Sequence, residues 1–240
     1  MVPADRVLPV PGEVELTAAA ALPVAWLSAW YCLHRLGEVR AGETVLVHAA
    51  ASGVGSAAVQ IAKDAGATVI ATAGSPDKLA WVNGLGADET LDHRTMDVPA
   101  EVLQLTNGGA HVVVDLVGGD TFAGSLRAVR RLGRVVAMAN VALTPSTIDT
   151  RDFYPRNVHI HGFQITDLLE HGWDPRPDLH ELLDAVATRR FRVPIDSTFP
   201  ISDAAGAHRR LASREALGKI VLAASPASTA ADSRARPADC

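Results

Sequence analysis

At 240 residues, with 48% hydrophobic and 20% charged side chains, the chain is long enough for one large or two small domains and ordinary in composition for a globular protein. Its net charge of −5 gives no electrostatic reason to expect nucleic acid or an anionic membrane as partner. Two cysteines, Cys32 and Cys240, supply neither a disulfide framework nor a four-cysteine zinc site.

The opening residues lack the basic-then-apolar order of a signal peptide, so the expectation is a cytoplasmic protein. Residues 18–33 form an apolar, alanine-rich run containing Pro23 and Ser28. The run falls short of the roughly 20 residues a membrane span requires and reads as a buried helix. Residues 44–48 then read as a first strand, and 53–65 as a helix with Val54, Ala58, Ile61 and Ala62 on one face. A second strand covers 67–72, Pro76 opens a helix, and a short third strand at 89–91 follows Gly86. Residues 111–115 and 134–138 read as the fourth and fifth strands, with a helix around 121–129 between them. Alternation over 157–163 gives a sixth strand with one face less buried. Helices near 177–188 and 203–213, then a strand at 219–222, complete the pattern, and the Ala/Ser/Pro-rich tail over 224–240 reads as disordered. Strands alternating with helices predict an α/β fold, a doubly wound parallel sheet flanked by helices.

The informative junction is the first strand to the first helix, Val45-Leu-Val-His-Ala-Ala-Ala-Ser-Gly-Val-Gly-Ser56. Small residues there let backbone N–H groups and the helix N-terminus approach a pyrophosphate. The glycine-rich fingerprint is incomplete: its three positions fall on Ala50, Ser52 and Gly55, with Gly53 an added glycine inside. An ordinary tight strand-to-helix turn is the bland alternative. Other motifs are absent. There is no Gly-Lys-Ser/Thr for a P-loop, Ser52 lacks the glycine flanks of a hydrolase nucleophile, and neither Tyr31 nor Tyr154 has a lysine four residues on.

An NAD-specific site carries an acid at the end of the second strand for the ribose 2′-hydroxyl. Here the chain reads Thr72-Ala-Gly-Ser-Pro-Asp-Lys78, with no acid at that end. Ser75 and Lys78 are placed to bind a 2′-phosphate, and Arg94 after the third strand adds positive charge. The competing reading makes Ser75 a helix cap and Lys78 a solvated surface residue. The missing acid and the present cation together favour NADPH over NADH.

Several segments together resemble the medium-chain dehydrogenase/reductase superfamily, in particular its zinc-free, quinone-oxidoreductase-like branch. They are Ala19 through Tyr31, the Ser52-Gly-Val-Gly55 cradle with Gln60-Ile-Ala-Lys63, Ala71 through Ser75, Leu85-Gly-Ala-Asp88, Val114 through Gly118, Gly133-Arg-Val-Val136 and Gly218-Lys-Ile-Val-Leu222. The resemblance implies a Rossmann fold over residues 1–223, an NADPH-binding domain with an N-terminal linker helix. It places pyrophosphate contacts on Ser52, Gly53, Val54 and Gly55, and 2′-phosphate contacts on Ser75, Lys78 and Arg214. His93 takes a position often held by an aromatic residue, and Val117, Asn140 and Phe163 fall near the nicotinamide. The zinc-ligand cysteine of the family's alcohol dehydrogenases corresponds to Ala20, so no metal is expected. His159 and His161 share one strand face, but two histidines do not complete a metal site, and an edge strand is the better reading.

By the same resemblance the activity is metal-free transfer of hydride from NADPH to a small-molecule quinone or α,β-unsaturated carbonyl, in a homodimer joined through the strand near 157–163. Relatives begin with a β-rich GroES-like domain that supplies most of the substrate pocket, and Met1 falls where the linker out of that domain is expected. The alternatives are a non-catalytic NADPH-binding module, as sensor or scaffold, and a fragment of a longer chain. No catalytic acid, base or nucleophile is assignable, and Ser28, Tyr31 and His48 near the cradle default to structural roles.

Overall fold

The computed structural model describes residues 7–224. Its strands are β1 (Thr44–Val47), β2 (Thr68–Ala73), β3 (Glu89–Asp92), β4 (Ala110–Asp115), β5 (Val129–Ala137), β6 (His159–Gly162), β7 (Ile195–Pro200) and β8 (Lys219–Ala223). The first six form one parallel sheet in the order β3-β2-β1-β4-β5-β6. Strand order reverses between β1 and β4, and ligands of such sheets bind in the crevice beyond the carboxyl ends at that reversal. β7 and β8 pair separately, also in parallel.

Parallel strands covered on both faces read as near-continuous apolar runs, and the pleat sends alternate residues to opposite layers. Val45 and Val47, Val69 and Ala71, Val112 and Val114 face one layer, and Leu46, Ile70 and Val113 the other. The first layer is closed by α1 (Leu16–Leu36), α2 (Gly53–Asp64) and α7 (Arg176–Ala187) through Trp26, Leu33, Ile61 and Leu182. The second is closed by α4 (Val98–Thr106) and α5 (Gly119–Ala128) through Val102 and Leu126. Three further helices are α3 (Pro76–Asn83), α6 (Ile165–Glu170) and α8 (Ala204–Ala212).

The N-terminal helix corrects one expectation. It runs 21 residues, so length alone does not set it apart from a membrane span. Its burial inside the protein does: Leu22, Trp26, Leu27, Ala29 and Leu33 lie in the core against the sheet. Two π-helical stretches, Leu22–Trp26 and Cys32–Leu36, interrupt the α-helix. The first contains Pro23, which has no N–H to give the preceding turn.

Other boundaries shift too. β5 starts at Val129, directly out of α5, five residues before the expected start at 134. β6 is four residues long where the alternation suggested seven. Helices α4 and α6 and strand β7 were not anticipated. The tail reading lies, past residue 224, outside the described residues. At the amino end of the sheet Arg134 on β5 clamps Glu43, at 2.6 Å and 2.9 Å, and donates through Nε to the Gly37 carbonyl. This fixes β5 to the approach into β1 on the side away from the crevice.

Candidate functional site

The turn between β1 and α2 is held from both sides. Ala49 takes a left-handed φ of 48°, Ala50 N–H donates to the Thr72 carbonyl at 2.9 Å, and Ser52 N–H to the Ala49 carbonyl at 3.0 Å. Ser52 caps α2, its Oγ accepting from Gly55 N–H at 3.0 Å. The hydroxyl hydrogen stays available to an anion. Gly55 is buried where a Cβ would lie 2.6 Å from Ala50 Cα and collide with the Ala49 carbonyl oxygen. Helix and strand therefore approach as closely as a dinucleotide turn requires. Val54 faces inward against the core, and Gly53 lies under the side chain of Lys219.

At the end of β2, Ser75 caps α3, its Oγ accepting from Lys78 N–H at 3.4 Å. Lys78 Nζ donates to the Arg214 carbonyl, where Arg214 has φ 58°. Lys78 and Arg214 thus come together through the Arg214 backbone. Burial, then the Arg94 and Arg210 guanidiniums, hold the Lys78 ammonium below the usual lysine range. A cation so pressed by other cations gains from a bound anion. A Cβ on Gly74 would lie 2.8 Å from His93 Nε2 and 3.0 Å from Arg94 Nε, so both side chains overhang the β2 end. β2 itself ends without an acid, finishing at Ala73 followed by Gly74 and Ser75; the carboxylate beside it is Asp92 of β3, which pairs with Ala73 and accepts from Arg94 N–H at 2.9 Å.

Between this region and α5 lies a cavity of about 310 Å³ lined by His48, Thr72, His93, Met96, Val117 and Thr121 among others. Buried His48 shares a hydrogen bond between Nδ1 and Thr72 Oγ1 at 3.2 Å, and its Nε2 has no partner. Burial pushes its imidazole below the usual histidine range, against the opposing pull of Asp115. Asp115 ends β4 and organises the loop after it. One carboxylate oxygen accepts from Val117 N–H at 2.8 Å and Gly118 N–H at 2.9 Å, the other from Ser125 Oγ at 2.8 Å. Val117 lines the cavity, and its carbonyl accepts from Ala142 N–H. Asn140 is turned onto Gly118 and donates to the Thr144 carbonyl at 3.0 Å.

Phe163 lies apart from these, past the end of β6. With Met138, Gln164 and Asp167 it lines a second, open depression of about 540 Å³. Its ring is 5.6 Å from Tyr31, which meets Trp173 edge-on at 4.8 Å. The predicted residues thus fall into three groups, at the β1–α2 turn, at the β2 end and on the loop after β4 with Asn140, and Phe163 stands apart from them in the second depression. Sequence reasoning missed the positive φ of Ala49, which nothing in an alanine announces, and the overlap of Lys219 on Gly53. Among the described residues no group of three or more His, Cys, Asp or Glu side chains is gathered to hold a metal.

A strand-to-helix turn of small residues at a helix N-terminus, a cation-lined β2 end with no acid of its own, and a neighbouring cavity with an orphaned imidazole nitrogen fit a dinucleotide. They define an α/β protein of the dinucleotide-binding class. Residues 53–188 match the zinc-binding dehydrogenase family. The chain is 32% identical over 229 residues to 2-haloacrylate reductase from Burkholderia sp, covering 92% of this chain and 68% of that protein. It is also 32% identical over 206 residues to the phthioceranic/hydroxyphthioceranic acid synthase of Mycobacterium tuberculosis, covering 85% of this chain but 10% of that protein. Among solved structures, an NAD-dependent alcohol dehydrogenase superposes with a TM-score of 0.83 at 36% identity, covering 93% of this chain and 63% of that one. A mycobacterial protein complexed with NADPH superposes at 0.84 and 30% identity, covering 92% and 68%. The chain belongs to the medium-chain dehydrogenase/reductase superfamily of oxidoreductases, of which it contains the cofactor-binding domain. It spans about two thirds of the length of these single-enzyme relatives and a tenth of the synthase.

Proposed function

We propose that this domain binds NADPH along the carboxyl edge of its sheet and serves metal-free reduction of a quinone or an α,β-unsaturated carbonyl. The observation that carries the cofactor choice is the β2 end, where Ser75, Lys78 and Arg94 gather and β2 itself contributes no acid. A carboxylate there would accept from a 2′-hydroxyl and repel a 2′-phosphate, whereas the residues present do the reverse. Ser52 Oγ and the free N–H groups opening α2 would take the pyrophosphate. The cavity walled by His48, His93 and Val117 would take the adenosine, and Val117, Asn140 and Phe163 would border the nicotinamide. Bound there, NADPH supplies the hydride. Met138, Phe163 and Tyr31 would offer a flat acceptor an apolar surface at that end.

The acceptor class is supported by the likeness to 2-haloacrylate reductase, since a haloacrylate is an activated alkene. In this reading the reaction is cytoplasmic and the working unit is a homodimer. Phe163 N–H donates to the Ala137 carbonyl at 3.0 Å, so odd-numbered residues of β6 turn their backbone toward β5. Ile160 and Gly162 then present theirs at an open sheet edge, available to a second copy. The test of turnover is NADPH oxidation with 2-cyclohexenone or 1,4-benzoquinone as acceptor. Consumption in step with product supports the reductase. Tight NADPH binding with neither acceptor reduced favours the competing reading, a cofactor-binding module without turnover.

A further inference from the structure

The second depression lies past the carboxyl ends of β5 and β6, lined by Ala137, Met138, Gly162, Phe163, Gln164 and Asp167 among others. A Cβ on Gly162 would meet no atom within 4 Å, so the floor is open there. Gln164 caps α6, its Oε1 accepting from Thr166 N–H at 3.2 Å and from Thr166 Oγ1 at 2.9 Å, which leaves the amide nitrogen as its donor. Asp167 follows in the first turn of α6. Among the described residues that line the depression it is the one that carries charge, and no cation lines it. The titratable group beside it is His171, whose Nδ1 lies 2.8 Å from the Asp167 carbonyl oxygen and 3.4 Å from its carboxylate. In its neutral form this ring donates to the carbonyl and leaves the carboxylate charge in place.

An acceptor that carries a carboxylate would meet a like charge here and no counter-ion. A ketone, ester or quinone would meet an apolar surface and an amide N–H able to donate to its carbonyl oxygen. The geometry points to Asp167 as a charge filter on the acceptor: the compound reduced at this site is uncharged, and anionic ones are turned away. A 2-haloacrylate is an anion, so it is a poor acceptor for this chain despite the likeness to 2-haloacrylate reductase. Because the Asp167 side chain is largely exposed, solvent and salt screen the repulsion, and the selection is moderate. This inference rests on the reading above that places the acceptor beside Met138 and Phe163.

The experiment follows NADPH oxidation with methyl 2-chloroacrylate and with 2-chloroacrylate, which share the alkene and differ in charge. Each turnover consumes one NADPH and one proton and saturates one carbon–carbon double bond. Wild type, Asp167→Asn and Asp167→Lys are compared by the ratio of kcat/KM for the anion to that for the ester, so the intrinsic reactivity of each acceptor cancels. Removing one unit of repulsion raises kcat/KM for the anion by about fivefold in Asp167→Asn, and lysine raises it further. Damage to the fold cannot produce such a gain. In wild type the anion also gains as salt is raised to about 1 M, where the Debye length is about 3 Å, and Asp167→Asn loses that response. A purely structural role for Asp167 in the first turn of α6 would produce neither effect. Failure of both variants to gain with the anion, while the ester is still reduced, would overturn the inference and leave the acceptor reading standing. A wild-type protein that reduces neither compound would bring down the acceptor reading together with it.

Discussion

At the scale of single residues, the site depends on absent atoms as much as on present ones. Gly55 faces rigid backbone, the Ala49 carbonyl and Ala50 Cα, neither of which can swing away as a side chain would. Gly55→Ala is expected to destabilise the fold by roughly 1–3 kcal/mol, as overpacking of a close-packed contact does. A lower urea midpoint, with dinucleotide binding lost in the protein that remains folded, checks this. Unchanged stability would show that helix and strand separate freely there. Arg94 acts in the opposite way, by adding charge over Gly74. Arg94→Ala is expected to weaken NADPH roughly tenfold and leave NADH unaffected, because the lost partner is the 2′-phosphate alone. Equal losses for both cofactors would remove Arg94 from that role.

At the scale of elements, the β7–β8 pair is held to α8 by one carboxylate. Asp196 accepts from Arg210 Nε at 3.0 Å and Nη2 at 2.8 Å, from Leu217 N–H at 3.0 Å and from Ser197 Oγ at 2.8 Å. The Arg210 hydrogen bonds hold its carboxyl well down, at about 2. The folded value lies below the unfolded one, about 3.9, so the stabilisation is complete above about pH 4 and disappears as pH falls toward about 2. Asp196→Asn is expected to lower stability near neutrality by about 1 kcal/mol, allowing for solvent screening at Arg210, and to flatten the acid limb of the stability curve. An acid limb identical to wild type would contradict the assignment. The central strands were legible in the sequence because burial on both faces leaves runs such as Val112-Val-Val114 that suit little else. β7 was not, because Ile195-Asp-Ser-Thr-Phe-Pro200 has neither alternation nor an apolar run, and only its partner β8 and the Asp196 clamp make it a strand. α4 escaped because Leu103 and Leu105 face solvent beside buried Val98 and Val102, which blurs the helical period. The strand-to-helix turns that place Ser52 and Ser75 as helix caps were legible through chain order. The overlap of Lys219 on Gly53 joins opposite ends of the domain's sequence, and no local pattern carries it.

At the scale of the whole molecule, the sheet is closed on its faces and open at β6. Because Ile160 N–H faces the open edge and not β5, Ile160→Pro removes a donor that the β5–β6 pairing does not use. Light scattering on the eluted protein is expected to show a dimer for wild type and a monomer for this variant. A monomeric wild type would contradict the pairing outright. The claim on which the functional account turns is narrower: that the carboxyl edge of this sheet is an NADPH site. The direct measurement is a titration of the purified chain with NADPH and with NADH, followed by nicotinamide fluorescence. The account predicts saturable NADPH binding, at least about tenfold tighter than NADH, with the difference abolished in Lys78→Ala. Binding of NADH as tight as that of NADPH, or no binding of either, would contradict it.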